Sequence, residues 1–385
     1  MLATSTRAWS TVGVPLVVAA AAGLVLPPLV GRYWIQVLTA AAIYAVVALG
    51  LGILYGRVGL VSMGQIAILA VGGWTAVRLD QAFALPFPIL LLATGLVTGA
   101  VGVLIGLPAL RLSGLHLALV TLMLAAALAI VLTNAGLPNG GKGLLGHDPL
   151  RPGNVVLPRP AWAASDTAYY RCTLLICALM FVLALAHLHG RPGRAWAAIR
   201  QSEPAATAAG VNVTLYKLLA FGLACFMTGV AGCLLAGSSG GLSVYQFAPQ
   251  ESISLLAVVL MAGMGTPWGA VLAGILMKGM PAVLDRLGVS SSFLLILFGA
   301  GLVQTMAMSP GGITGQLAHD LGRRRRRRPA ERPDVTSGPA QDSDGITAFG
   351  KPVAGIRAGG DAYGGRPDGS GTVQPPAVSS RQETQ

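Results

Sequence analysis

Of the 385 residues, 54% are apolar and only 10% are charged, and the mean hydropathy is +0.69. That balance excludes a soluble globular enzyme and a chain disordered throughout. The net charge of +12 does not mark a nucleic-acid binder: six of the positive charges form one run, Arg323 to Arg328, and the others are scattered through loops.

A membrane crossing takes roughly 20 apolar residues. On that measure the apolar runs predict an all-α polytopic membrane protein with about ten transmembrane helices. The first run, Val12 to Val30, follows Arg7 and resembles a signal peptide. It is long for one and another span follows at once, so it reads as a retained helix. Trp34 to Tyr55, Leu60 to Val77, Phe83 to Leu107 and Leu112 to Thr133 come next. A long loop from Asn134 to Thr167 precedes Ala168 to His187, Leu215 to Ala236, Ile253 to Met264, Trp268 to Leu284 and Phe293 to Met308. The run ending at Met264 is short and reads as a broken or tilted helix. Glycine pairs 95 and 99, 102 and 106, and 265 and 269 are spaced to let helices approach closely. Cys172, Cys177, Cys225 and Cys233 make no C-x-x-C pair and read as small buried residues. His187 and His189 are two apart, so on a helix they point to different sides, which argues against a metal site. The expected domains are a transmembrane unit over 1–322 and, over 323–385, a disordered cytoplasmic tail rich in Gly, Pro and Arg. The arginine run is read as an anchor beside anionic membrane lipid.

The polar stretch Gly190 to Phe221 breaks the apolar series and predicts two very short helices back to back. Arg194 to Gln201 suits the first, since Ala and Arg are good helix formers. Ser202 or Glu203 can cap the second, with Pro204 in its first turn, where a missing N–H costs nothing. Gly210 supplies a left-handed stop, and Asn212 or Thr214 caps the apolar helix that follows. Glu203 can pair with Arg200 one turn earlier or with a basic residue of a partner. So small a unit buries no core of its own. It is a solvent-facing knob that invites a partner.

This stretch resembles the cytoplasmic coupling loop of the permease subunits of ABC importers for branched-chain amino acids, the LivM type. The matching residues are Gly193-Arg194-Ala195, Ala198-Ile199-Arg200, Glu203, Ala205-Ala206, Ala208, Gly210 to Val213 and Tyr216 to Phe221. A second block is Tyr44 to Thr75, with Gly73 and Trp74 where the family commonly has alanine and tyrosine. A third is Arg111 to Thr121 and a fourth Met261 to Gly274, with Ala270 at a common proline. The four stand in the family's order across most of residues 40 to 285. The resemblance implies an ABC importer permease fold, with a loop over 190–214 that docks on the ATPase through Arg194, Ala198, Ile199, Arg200, Glu203, Ala206, Gly210 and Val211. With that loop inside, both termini are expected in the cytoplasm of a bacterial plasma membrane. Arg57, Arg111, Arg191, Arg194 and Arg200 then fall inside, and Arg32, Arg78, Lys142, Arg151, Arg159 and Arg171 outside.

Ser62 and Gln65 are polar groups in the otherwise apolar second block. Burying them without partners is costly, so they face another helix or a watery path. Gly59 and Gly64 permit tight packing or a break in the helix near Gly59. Gly136 to Lys142 fits the phosphate-loop spacing but lacks the hydroxyl residue after the lysine and follows no strand. It aligns instead with a Gly-rich external loop of the family, with Pro138-Asn139-Gly140 in place of its usual T-G-G. Ser62, Gln65, Thr121, Asn139 and Gly140 are therefore the candidate pathway-lining residues.

No nucleophile–base pair marks an enzyme, no residues stand out as metal ligands, and few carboxylates lie within spans. A proton- or sodium-coupled carrier would usually keep an acid there. A chain with no energy source of its own suits a permease with no cofactor, served by ATP on partner subunits. The implied partners are a second, LivH-like permease, two ATPase subunits, an external solute-binding protein and a small amino-acid substrate. The same machine could instead carry urea, amides, other amino acids or sugars. A stand-alone secondary carrier is the competing class.

Overall fold

The computed structural model describes residues 3–109, 114–134, 156–289, 291–308 and 312–315, and every regular element among them is helical. The first five helices are α1 (Ala3–Leu29), α2 (Arg32–Ile53), α3 (Gln65–Phe83), α4 (Phe87–Ala109) and α5 (Leu115–Asn134). They are followed by α6 (Asp166–His189), α7 (Arg191–Gln201), α8 (Glu203–Ala208), α9 (Val213–Ser238), α10 (Pro249–Ala262), α11 (Pro267–Arg286) and α12 (Ser291–Met308). Every predicted apolar run meets a helix, and the chain is a polytopic helical membrane protein. Among the described residues five helices are long and apolar enough to cross a membrane: α2 with its extension to Val58, α4, α6, α9 and α11. Shorter apolar helices cover Leu16–Leu29, His116–Val131 and Pro249–Ala262. The predicted tail, 323–385, lies outside the described residues.

The centre is α9, which packs against α2, α3 and α4. Lipid is as apolar as leucine, so helices in a membrane are held by close contact rather than by escape from water. Glycine supplies that contact. A Cβ at Gly72 of α3 would stand 2.8 Å from the Cα of Gly229 of α9, and one at Gly232 would stand 2.6 Å from Gly73 N. On α4, Gly95, Gly99, Gly102 and Gly106 form the trough that the sequence spacing predicts. It receives Phe226, Cys225, Phe221 and Leu218 of α9. Gly274 of α11 seats against the α2 backbone at Ala41 and Ala45. The third predicted glycine pair does not act this way. Gly265 lies in the turn between α10 and α11, and Gly269 packs on Gly263 and Thr266 of that same turn. The reason is Gly263, whose φ of +117° ends α10 before any helix could carry the pair on one face.

All four cysteines are buried and unpaired. The His187 and His189 Nδ1 atoms each lie 2.8 Å from the carbonyl four residues earlier, at Leu183 and Leu185. Among the described residues no three His, Cys, Asp or Glu side chains gather as metal ligands.

Candidate functional site

The expected helix from Leu60 to Val77 is interrupted. Residues Leu54–Val58 widen into a π turn, Gly59 takes a φ of +85°, and helix resumes only at Gln65. Gly59 N donates to Tyr55 O at 3.2 Å, the bond that closes a helix ended by a left-handed glycine, and Leu60 N donates one residue further back, to Leu54 O at 3.0 Å. Gly59 thus acts as a stop where the apolar run suggested continuity. Val61–Met63 are left without helical bonds, and their backbone groups need other partners inside a membrane protein.

Thr121 of α5 provides one. Its hydroxyl accepts from Met63 N at 2.9 Å and donates to Ala118 O at 3.0 Å. Gly64 lies against the Thr121 backbone. Ser62 Oγ accepts from Gly64 N at 3.5 Å. Gln65 opens α3, and its Oε1 accepts from the Thr228 hydroxyl of α9 at 2.8 Å. Its Nε2 has no partner among the described residues. Thr228 lies 15 residues into α9, which puts this level about 22 Å along that helix, past its middle. Ser62, Gln65 and Thr121 are each 1% exposed. Three of the predicted pathway residues therefore surround one helix break, while Asn139 and Gly140 lie outside the described residues. A groove of about 390 Å³ between α4 and α9 is lined by Leu96, Val103, Leu219 and Phe226 among others, and includes none of the three.

The knob forms as its local chemistry dictates. The Ser202 hydroxyl accepts from Ala205 N at 3.4 Å and starts α8. Gly210, at a φ of +79°, ends that turn, with Val211 N donating to Ala206 O at 3.0 Å. Asn212 Oδ1 accepts from Leu215 N at 3.0 Å and starts α9. The first helix is longer than predicted, running back to Arg191 because Pro192 fits its first turn. One face of α7 is sealed: Ala195, Trp196 and Ile199 are buried, and Trp196 Nε1 donates to Tyr216 O at 2.8 Å. Ala206 is buried on α8. Of the predicted docking residues, Ile199 and Ala206 thus attach the knob, Ala198 and Val211 are half-buried, and Arg194, Arg200, Glu203 and Gly210 are exposed.

The charges pair differently from the sequence expectation. Glu203 meets Lys217 of α9, Oε1 to Nζ, at 2.6 Å, and not Arg200. Arg200 reaches away from the knob and donates to the carbonyls of Tyr55, at 2.9 Å, and Gly56. Those carbonyls belong to the π turn, and Tyr55 O also accepts from Gly59 N at 3.2 Å. Beside them Arg57 Nη2 donates to Gly265 O at 3.2 Å, and a Cβ at Gly56 would stand 2.7 Å from Gly265 N. Trp196, Arg57, Tyr55 and Gly56 were missed in the sequence. Only the arginines gave a signal, and it named no partner.

At the other end of the helices Asp166 of α6 binds Arg32 and, at 2.7 Å, Arg159. Arg159 also donates to Gly237 O at 2.9 Å and Ser238 O at 3.2 Å, where α9 stops, and lies over the Tyr169 ring. Two cations of each predicted set thus stand in separate clusters: Arg57 with Arg200, and Arg32 with Arg159.

A family model described as the permease component of the branched-chain amino acid transport system matches residues 33–306. The chain belongs to this family. Two relatives, from Salmonella typhimurium (strain LT2) and Escherichia coli (strain K12), are each named a high-affinity branched-chain amino acid transport system permease protein, LivM. Each is 29% identical, over 314 and 306 residues respectively, covering 74% of this chain and 71% of the relative. No solved structure matches significantly. The matched range holds the helix break, the knob and the arginine clusters of the permease except Arg32, which lies before it together with the N-terminal helix α1. The permease is a component of a transport system.

Proposed function

We propose that this permease forms the transmembrane path of an importer for branched-chain, or related apolar, amino acids in a bacterial plasma membrane. It works beside a second, LivH-like permease, with two ATPase subunits that bind the ATP and an external protein that delivers the solute. Both termini and the α7–α8 knob are on the cytoplasmic side, where the exposed face of the knob meets the ATPase. The family and the names of the two relatives support the cargo class. The break around Ser62, Gln65 and Thr121 is the moving part of the path.

The observation that carries this reading is the Arg200 guanidinium on the carbonyls of Tyr55 and Gly56. The sealed face of α7 makes the knob move as one body with the start of α9. Closure of the ATPase pair pushes that body, and Arg200 passes the push to the π turn. Five residues later the same strand of chain is Leu60, inside the break. The Gly56–Gly265 contact carries the motion on to the turn between α10 and α11. Binding energy at the knob is thereby spent where the backbone is least tied.

The test is leucine uptake by proteoliposomes holding the complete transporter. Arg200→Met should lower uptake at least tenfold while the ATPase still copurifies and still hydrolyses ATP when the binding protein is added. Unchanged uptake per hydrolysed ATP would remove the link.

A further inference from the structure

We infer that the buried start of α3 receives the carboxylate of the travelling amino acid. The inference rests on the transport reading above and narrows its cargo to solutes that carry a carboxylate, at the expense of urea, amides and sugars.

The backbone supplies the first part of the argument. α3 has no side-chain cap: Gly64 precedes it, and the first bond of the helix runs from Ile68 N to Gly64 O at 3.1 Å. Among the described residues nothing accepts from the N–H groups of Gln65, Ile66 and Ala67. These residues are 1%, 0% and 5% exposed, so water is not their ordinary partner. Helix starts on a protein surface leave the same groups to solvent. Here they are enclosed at the middle level of the long helix α9, where an unmet donor is costly.

The second part is a side chain. Gln65 is the first residue of α3, and its amide has been split by its surroundings. The oxygen is taken by the Thr228 hydroxyl, and the nitrogen has no partner among the described residues. The part of Gln65 left without a partner is thus its nitrogen, which carries two donors. The Ser62 hydroxyl adds another polar group, 3.5 Å from Gly64 N. Three backbone donors and one amide nitrogen, with the positive end of a helix dipole behind them, make a site for an anion. The ligand chemistry follows from the donor set. An ammonium needs acceptors, and these four groups are donors. A carboxylate fits, and it is held by dipoles instead of a full opposite charge. Such a grip is weak enough to release its cargo when the break changes shape.

The test uses the complete transporter in proteoliposomes, with Cys172, Cys177, Cys225 and Cys233 replaced by alanine and a reporter thiol introduced by Ser62→Cys. Met63→Cys serves as a second reporter if the first fails to assemble. The rate of modification by a small water-soluble thiol reagent is followed with L-leucine or L-leucinamide present, the latter lacking the carboxylate. L-Leucine should slow labelling at least fivefold and L-leucinamide less than twofold. Adding Gln65→Glu, which sets a carboxylate of similar shape among the donors, should abolish protection by leucine while labelling itself persists. Equal protection by the two solutes, protection that survives Gln65→Glu, or no labelling of either reporter in any nucleotide state would overturn the site. Uptake is measured in parallel on vesicles that hold the unaltered transporter. Leucine uptake without carboxylate-dependent protection sinks the site alone, whereas absent uptake with that protection sinks the transport reading alone.

Discussion

Where α2 and α6 begin, Arg32 and Arg159 converge on the carboxylate of Asp166. Where α7 and α8 sit, Arg200 and Arg57 converge on backbone carbonyls of two turns. In the first cluster two guanidinium groups share one carboxylate, and the partners stand at helix ends that are already fixed. Arg286 adds to it from α11, stacked 4.8 Å and 5.3 Å from the rings of Tyr33 and Trp34. The result ties α2, α6, α9 and α11 together. In the second cluster the arginines meet carbonyls of the π turn and of the turn after α10. A guanidinium can pass from one such carbonyl to the next at little cost, because every turn offers several. One end is therefore a clamp and the other a handle, although both are built from arginine.

The comparison is broken most severely at Trp196. Trp196→Ala empties a fully enclosed site and should cost about 3–5 kcal/mol, the usual range for deleting a buried aromatic. Thermal unfolding of the purified complex should show it, with ATPase subunits lost on purification. Asp166→Asn comes next. It leaves two arginines facing a neutral amide and should cost about 2 kcal/mol, between the ranges for exposed and buried pairs. The clamp reading requires that leucine uptake per folded transporter be nearly kept. If uptake collapsed while stability held, the clamp would be part of the machine.

Arg200→Met should do the reverse. Loss of hydrogen bonds at an exposed side chain costs only about 1 kcal/mol, so melting should barely move while uptake falls. The smallest effect is expected at Glu203→Gln. Glu203 is half exposed, so its bond to Lys217 is screened and worth about 0.5 kcal/mol or less. Glu203→Lys sharpens the point. It sets two ammonium groups against each other beside the knob and should uncouple uptake from ATP hydrolysis without loss of expression. Coupled uptake like that of the unaltered transporter would take Glu203 out of the handle.

The knob was readable in detail because its chemistry is local. Ser202 caps Ala205, Asn212 caps Leu215, and Gly210 turns the chain, all within three or four residues. The break at Gly59 was readable only as an option, since an apolar run with two glycines suits either a tightly packed helix or an interrupted one. The bond from Leu60 N to Leu54 O decides it. Glu203 shows the limit most plainly. Arg200 was the nearer cation in sequence, yet Lys217, 14 residues on, is the partner, because the reversal at Gly210 brings the start of α9 back beside α8.

The sequence by itself determined the membrane class, the helical spans, the glycine trough of α4 and the caps of the knob. Each depends on solvent preference or on groups a few residues apart, and both are fixed before the chain folds. Only the tertiary structure decided which face of α7 is sealed, that Thr228 takes one half of the Gln65 amide, and that Arg200 grips a turn 145 residues away. Those choices are made among many groups of similar chemistry. What selects one of them is proximity, and proximity is set by how glycine-lined helices settle against each other.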